Sequence, residues 1–255
     1  MEEFRSFESW RPWVALVSTV LGVGVILILN HTLNDEWGHI LLDRGHTYPF
    51  SVQNGMWIFF ALGLGELFIR VLSARAELRQ IKRKYLPEDP RVVLQKEDLP
   101  DIYKNLKESG DRRRCFLPRL IDRCILQFQA SLSTAQSASL LNTSIEMFLH
   151  EVDLRYNMIR YICWVIPSLG FIGTVVGIGR ALEFAGAPAH VSDPNLLTTV
   201  TGMLAVSFNG TFLALVMATV LVLLQNVIQS KEEHALNLAG QYCLDNLINR
   251  LYVVK

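Results

Sequence analysis

The sequence predicts an all-α, polytopic membrane protein with four transmembrane helices, a helical cytoplasmic domain and long last helices extending into the cytoplasm. Three observations predict it. First, 51% of the 255 residues are apolar, mean hydropathy is +0.27, and 24 basic and 24 acidic side chains cancel. Second, charge is missing from four stretches: 12–34, 45–65 (apolar onward through Glu66 to Ile69), 161–179 and 194–230. Each is long enough for a bilayer-spanning helix, which takes about 20 mostly apolar residues. Third, 17 of the 24 basic residues lie between Arg70 and Arg160, which by the positive-inside rule makes that segment and both termini cytoplasmic. Zero net charge removes the basic footprint that nucleic-acid binding needs, and the hydrophobicity argues against disorder. The four cysteines are scattered without a CxxC pair, so neither a disulfide framework nor a zinc site is suggested.

Taken in order, residues 1–74 hold an N-terminal segment, the first two spans and an outer loop at 31–54. Phe4, Phe7 and Trp10 recur at helical spacing, which suits either a short interfacial helix or an aromatic flank of the first span. The first span is too long for a signal-peptide core and no A-x-A-like site follows it. In the outer loop His31, Asp35, His39 and Asp43 recur every four residues, a spacing that would align zinc-type ligands. Leu33, Trp37, Ile40 and Leu41 occupy the opposite side, so an amphipathic surface helix explains the pattern without a metal.

Residues 75–160 form the cytoplasmic segment. RVLSARAELRQIKRKY continues the second span as a basic helix, and LPEDP and EDLPD interrupt it, because proline restricts its own backbone and that of the residue before it. From about Pro118 the pattern is helical again, with Ile121, Ile125, Phe128 and Leu132 on one face. The tract SLSTAQSASLLNTS accommodates a loop or a packed helix, and the helix is expected to run unbroken into the third span. Residues 161–230 carry spans three and four, and 231–255 a C-terminal cytoplasmic helix. The 37-residue charge-free run at 194–230 would extend on the order of 50 Å as a helix, so it should project from the membrane.

Small residues mark where helices touch. Gly170, Gly173, Gly177 and Gly179 lie in span three, and Gly210, Ala214 and Ala218 are spaced four apart in span four; small side chains let backbones approach in lipid. Span four also carries Thr198, Thr199, Thr201, Ser207, Asn209 and Thr211, and span three Thr174. Membrane hydroxyls commonly bond back to the preceding turn, yet this many suit a wet path or a partner helix. Glu66 with Arg70, and Arg180 with Glu183, sit near span ends as local pairs. No carboxylate occupies the middle of spans three or four, so an ion path here needs a titratable group from another chain. Catalytic, Walker A, HExxH and dinucleotide motifs are all missing, and an enzyme is not expected.

The run PSLGFIGTVVGI (167–178), followed by LLTTVTGMLAVSFNGTFLALV (196–216) and preceded by EVDLRYNMIRYICW (151–164), resembles the MotA/TolQ/ExbB family of ion-driven motor subunits over roughly residues 145–245. The four-span layout resembles MotA, with the first span as an added helix relative to TolQ and ExbB. The resemblance implies a homo-pentamer in the bacterial inner membrane. It would surround a dimer of a MotB/TolR/ExbD-like protein whose single transmembrane helix bears an Asp. Ions, H+ first and Na+ as the alternative, would cross at that Asp against threonines of the pentamer, which would rotate and deliver work. Carried onto this chain, the ion path is expected at Thr174 and Thr199. Pro167, Gly170, Gly173, Gly177, Gly202 and Gly210 would shape the helices, and Thr198, Thr201, Ser207, Asn209 and Thr211 would form a secondary polar lining. A non-conducting scaffold in an envelope complex is the competing expectation.

Overall fold

The computed structural model describes residues 11–42, 51–89, 91–108, 115–189 and 194–252. The aromatic segment before residue 11, Asp43 of the histidine–aspartate spacing and residue 193 lie outside these. Eight α-helices are present among the described residues: α1 Arg11–Thr32, α2 Asp35–Leu42, α3 Val52–Ile81, α4 Leu99–Glu108, α5 Phe116–Ser131, α6 Thr134–Arg155, α7 Asn157–Gly186 and α8 Leu196–Asn246. A 3-10 turn follows at Ile248–Arg250. No strand occurs among the described residues, only an isolated bridge between Leu94 and Leu251. Four stretches are long and apolar enough to cross a membrane: Pro12–Thr32, Val52–Ile81, Thr134–Gly186 and Leu196–Arg250. The chain is an all-α protein with four membrane-spanning helices.

Two compact units form, one from residues 7–67 and 158–225, the other from 68–157 and 226–255. The first is the membrane unit. Here α1 leaves Trp13, Val20 and Leu21 more than 60% exposed, a surface suited to lipid rather than water. The helix docks on α3 through small residues: a Cβ built on Gly22 would lie 2.9 Å from Ala61 Cβ, and one on Gly65 would overlap Ser18 Oγ. Deeper in the unit, a Cβ on Gly63 would come within 3.1 Å of Leu221 and 3.3 Å of Ile162, so α3, α7 and α8 meet there.

The outer loop does not form one helical stripe. His31 lies in the last turn of α1, and the chain breaks helix at Leu33–Asn34 before α2 starts at Asp35, which puts His31 and Asp35 on different helices. Short α2 is tied to the start of α3 by polar bonds. Ser51 Oγ donates to Leu42 O (3.0 Å) and accepts from the Asn54 N–H (3.1 Å), and the Trp57 indole N–H donates to Leu41 O (3.2 Å).

In the second unit α5 and α6 form a hairpin rather than one continuous helix. Phe128 and Ile125 are buried as the periodicity requires, but Leu132 is 42% exposed. Its φ of 52° ends α5 in a left-handed turn, with its N–H bonded to Phe128 O (2.8 Å). That turn satisfies orphan carbonyls at the helix end, and Ser133 then caps α6 by accepting from the Gln136 N–H. Between α6 and α7 the only interruption is Tyr156, so the helix entering span three is continuous but for one residue. The tract at 131–144 is therefore a turn followed by helix. The hairpin core packs the Phe116 and Phe148 rings 5.5 Å apart, with the Arg119 guanidinium 4.1 Å over Phe148. Burial pushes the Cys124 thiol up to about 12, as desolvation disfavours the thiolate.

A buried ion network anchors α6 and α8. Glu232, fully buried, accepts from Arg155 Nη1 (2.8 Å) and from the Tyr156 hydroxyl (3.0 Å). Arg155 and Arg119 both reach Glu151. At the start of α5, Cys115 supplies no side-chain cap; instead the Glu77 carboxyl group of α3 accepts the Phe116 N–H at 2.8 Å, which satisfies one of the donors a helix start leaves unpaired. Arg250 bonds the carbonyls of Pro87, Glu88 and Asp89, which straps the end of the chain to the segment after α3.

Breaking one half of a buried pair leaves the other charge uncompensated, a loss of about 3–5 kcal/mol. Glu232→Ala, which leaves the Tyr156 hydroxyl without its acceptor and Arg155 with Glu151 alone, is expected to lower the thermal unfolding temperature in detergent. Arg91→Ala, at an exposed position, should change it little.

Candidate functional site

The membrane unit brings α7 and α8 closest where side chains are smallest. Gly170 faces α8 so tightly that a Cβ there would lie 2.5 Å from Ala214 Cβ and 3.3 Å from Thr211 Cα; at Gly177 it would overlap Ser207 Oγ. The remaining glycine of the G-x-x-x-G step, Gly173, faces Val52 of α3 instead, at 3.5 Å from a built Cβ. Gly210 and Ala214 form the buried face of α8 with Ala218, while Gly202 has nothing within 4 Å. Pro167 lies inside α7. Proline there removes one backbone hydrogen bond and bends the helix.

This approach brings Thr174 and Thr211 together. Their hydroxyls touch, Thr174 Oγ1 lies 3.1 Å from Ser207 O and 3.2 Å from Gly170 O, and Thr211 Oγ1 donates to Gly170 O at 2.9 Å. Two hydroxyl protons and two backbone carbonyls thus share one junction. One hydroxyl donates to the other and the second proton goes to a carbonyl, Gly170 O or Ser207 O, so the hydroxyl oxygens keep lone pairs free to accept. Such a pair offers acceptors to water, hydronium or a bare cation, and carries no charge of its own.

Thr199 is not part of this junction. It is half-buried in the first turn of α8, its N–H bonded to Asn195 O (2.9 Å). Twelve residues separate it from Thr211, about 18 Å along a helix. Thr198 is exposed and Asn209 half-buried. Thr201 donates to Leu197 O (2.8 Å) and Ser207 to Met203 O (2.9 Å), the back-bonding expected of membrane hydroxyls. Of the polar set in α8, Thr211 is the member that Thr174 meets.

Further polar groups are buried in this unit, Gln53 and Gln225 among them. The Cys163 thiol lies 3.8 Å from Gln225 Oε1. In the sequence each glutamine is followed by an asparagine at the edge of an apolar run, a weak signal next to the clustered threonines. Among the described residues no group of His, Cys, Asp and Glu is placed to hold a metal ion.

The described residues define a polytopic α-helical membrane protein whose two small-residue helices close over an uncharged hydroxyl pair. Residues 116–239 match the family model of the MotA/TolQ/ExbB proton channel family, and over this segment the chain is similar to that family. The match starts with α5 and ends within α8, so the hairpin α5–α6 belongs to the family region, and α1 to α3 lie outside it. No curated protein and no solved structure matches the chain.

The close approach has a direct test. Gly170→Val forces a branched side chain into a gap with room for none, and overpacking of this kind costs about 1–3 kcal/mol or more. The purified Gly170→Val protein is expected to unfold at lower temperature than wild type in detergent. Gly202→Ala, facing open space, should be neutral or slightly stabilising.

Proposed function

We propose that this chain is the ring-forming subunit of an ion-motive-force-driven motor in the bacterial inner membrane. Five copies surround two copies of a single-span partner, and ions pass between them. The observation that carries the reading is the Thr174–Thr211 hydroxyl pair at the closest approach of α7 and α8, in a family region whose mid-membrane part holds no carboxylate. An uncharged acceptor pair can receive a hydrated proton or ion but cannot itself relay a proton by titrating. The titratable centre then comes from the partner, as an Asp on its transmembrane helix. H+ is the preferred ion and Na+ the alternative. Thr199, nearer the outer end of α8, serves as a lining group along the same path, and the concentration of basic residues between Arg70 and Arg160 supports a cytoplasmic side for the charged unit and both termini.

The scaffold reading draws on the same hydroxyls, which are also satisfied by Gly170 and Ser207 carbonyls as ordinary packing groups would be. Flux separates the two. The complex, expressed with its genomic neighbours and reconstituted in proteoliposomes, should pass protons under an imposed gradient. Removing a hydroxyl that hydrates the ion is worth about 1–3 kcal/mol, so Thr174→Val and Thr211→Val should each lower flux by about tenfold or more with assembly retained. Unchanged flux in both would overturn the path. Native mass of the detergent-purified complex tests the assembly: five copies with two of a small single-span protein are expected, and a partner-free monomer or dimer favours the scaffold.

A further inference from the structure

The first turn of α3 carries a polar side chain that the threonine junction does not account for. Gln53 is only 6% exposed, within the membrane unit. Val52 and Gln53 pack on the residues immediately before the two threonines: Val52 on Gly173, and Gln53 on Gly210, where a built Cβ would lie 3.3 Å from Gln53 Nε2 and 3.8 Å from its Cδ. The start of α3 therefore packs on α7 and α8 at the positions one residue before the two threonines.

Helix capping does not explain the amide. Ser51 Oγ already accepts the Asn54 N–H and donates to Leu42 O, fixing the start of α3. Simple packing does not explain it either, since leucine or methionine fills such a site without a polar group. An amide brings two N–H donors and a carbonyl acceptor, and among the described residues none of these is paired. The amide is not among the fully enclosed unpaired groups, so its tip reaches open space, where a polar group in a membrane unit pairs with water, an ion or a protein partner.

We propose that Gln53 lines the ion path, its amide pairing with the water that carries the ion past Thr174 and Thr211. The inference rests on the conducting reading above and extends it to a helix outside the family-matched segment, so that the added spans contribute to the path as well as to its support. A neutral amide at this point orders water through both its donors and its acceptor without trapping a cation, which a carboxylate would do.

The test is proton flux in proteoliposomes holding the whole complex, read with an entrapped pH-sensitive dye across a range of external pH. Gln53→Leu should lower flux about tenfold with native mass unchanged. Gln53→Glu keeps shape and polarity while adding a titratable group, and its flux should show a pH transition that wild type lacks. Should the leucine variant fail to assemble, the glutamate variant decides alone. If wild type conducts and Thr211→Val does not, while the Gln53→Glu pH profile superposes on wild type, the role of Gln53 is overturned and the motor reading stands. A wild-type complex that passes no protons overturns both.

Discussion

The membrane unit depends on how closely α7 and α8 can approach. At Gly170 and Gly177 there is no room for a Cβ, and across from them stand Ala214 and Ser207, among the smallest side chains available. In lipid no hydrophobic effect drives helices together, so close backbone contact supplies much of the attraction. The same closeness brings Thr174 within reach of a carbonyl on the other helix and sets its hydroxyl against that of Thr211. Larger residues at the two glycines would part the helices and separate the hydroxyls; the chemistry follows from the packing.

The charged unit is held by different physics. Its core is an amphipathic hairpin, α5 on α6, closed by stacked aromatics under arginine and by a buried carboxylate, Glu232, that is paired twice over. A buried ion pair adds less net stability than a well-packed apolar contact of the same volume, but it is unforgiving of loss. It therefore fixes the register between α6 and α8.

Much of the architecture was legible in the sequence. The charge-free stretches are a one-dimensional record of the bilayer, since every charge in lipid is costly, and all four appear as helices of spanning length. The break at Leu132–Ser133 was not legible, because Leu132 continues the apolar periodicity of Ile121, Ile125 and Phe128. A left-handed leucine has no composition signal, and the cap on α6 is an ordinary serine. Likewise the acceptor at the start of α5 is Glu77, from a helix some 40 residues away, so no local motif announced it.

For the candidate site the division is sharper. The sequence by itself determined the membrane helices, the wealth of hydroxyls in α8, the missing central carboxylate and the resemblance that the family match at 116–239 bears out. These are properties of single segments, written in composition and spacing. Only the tertiary structure decided which hydroxyl Thr174 meets. Thr199 and Thr211 are equivalent as letters, but the level at which Gly170 and Gly177 dock on α8 brings Thr211 to Thr174 and leaves Thr199 about 18 Å further along the helix. The same docking sets Gln53, from a segment more than 100 residues away, beside Gly210. Register between packed helices is fixed by side-chain volume in three dimensions, which residue spacing along one chain does not encode.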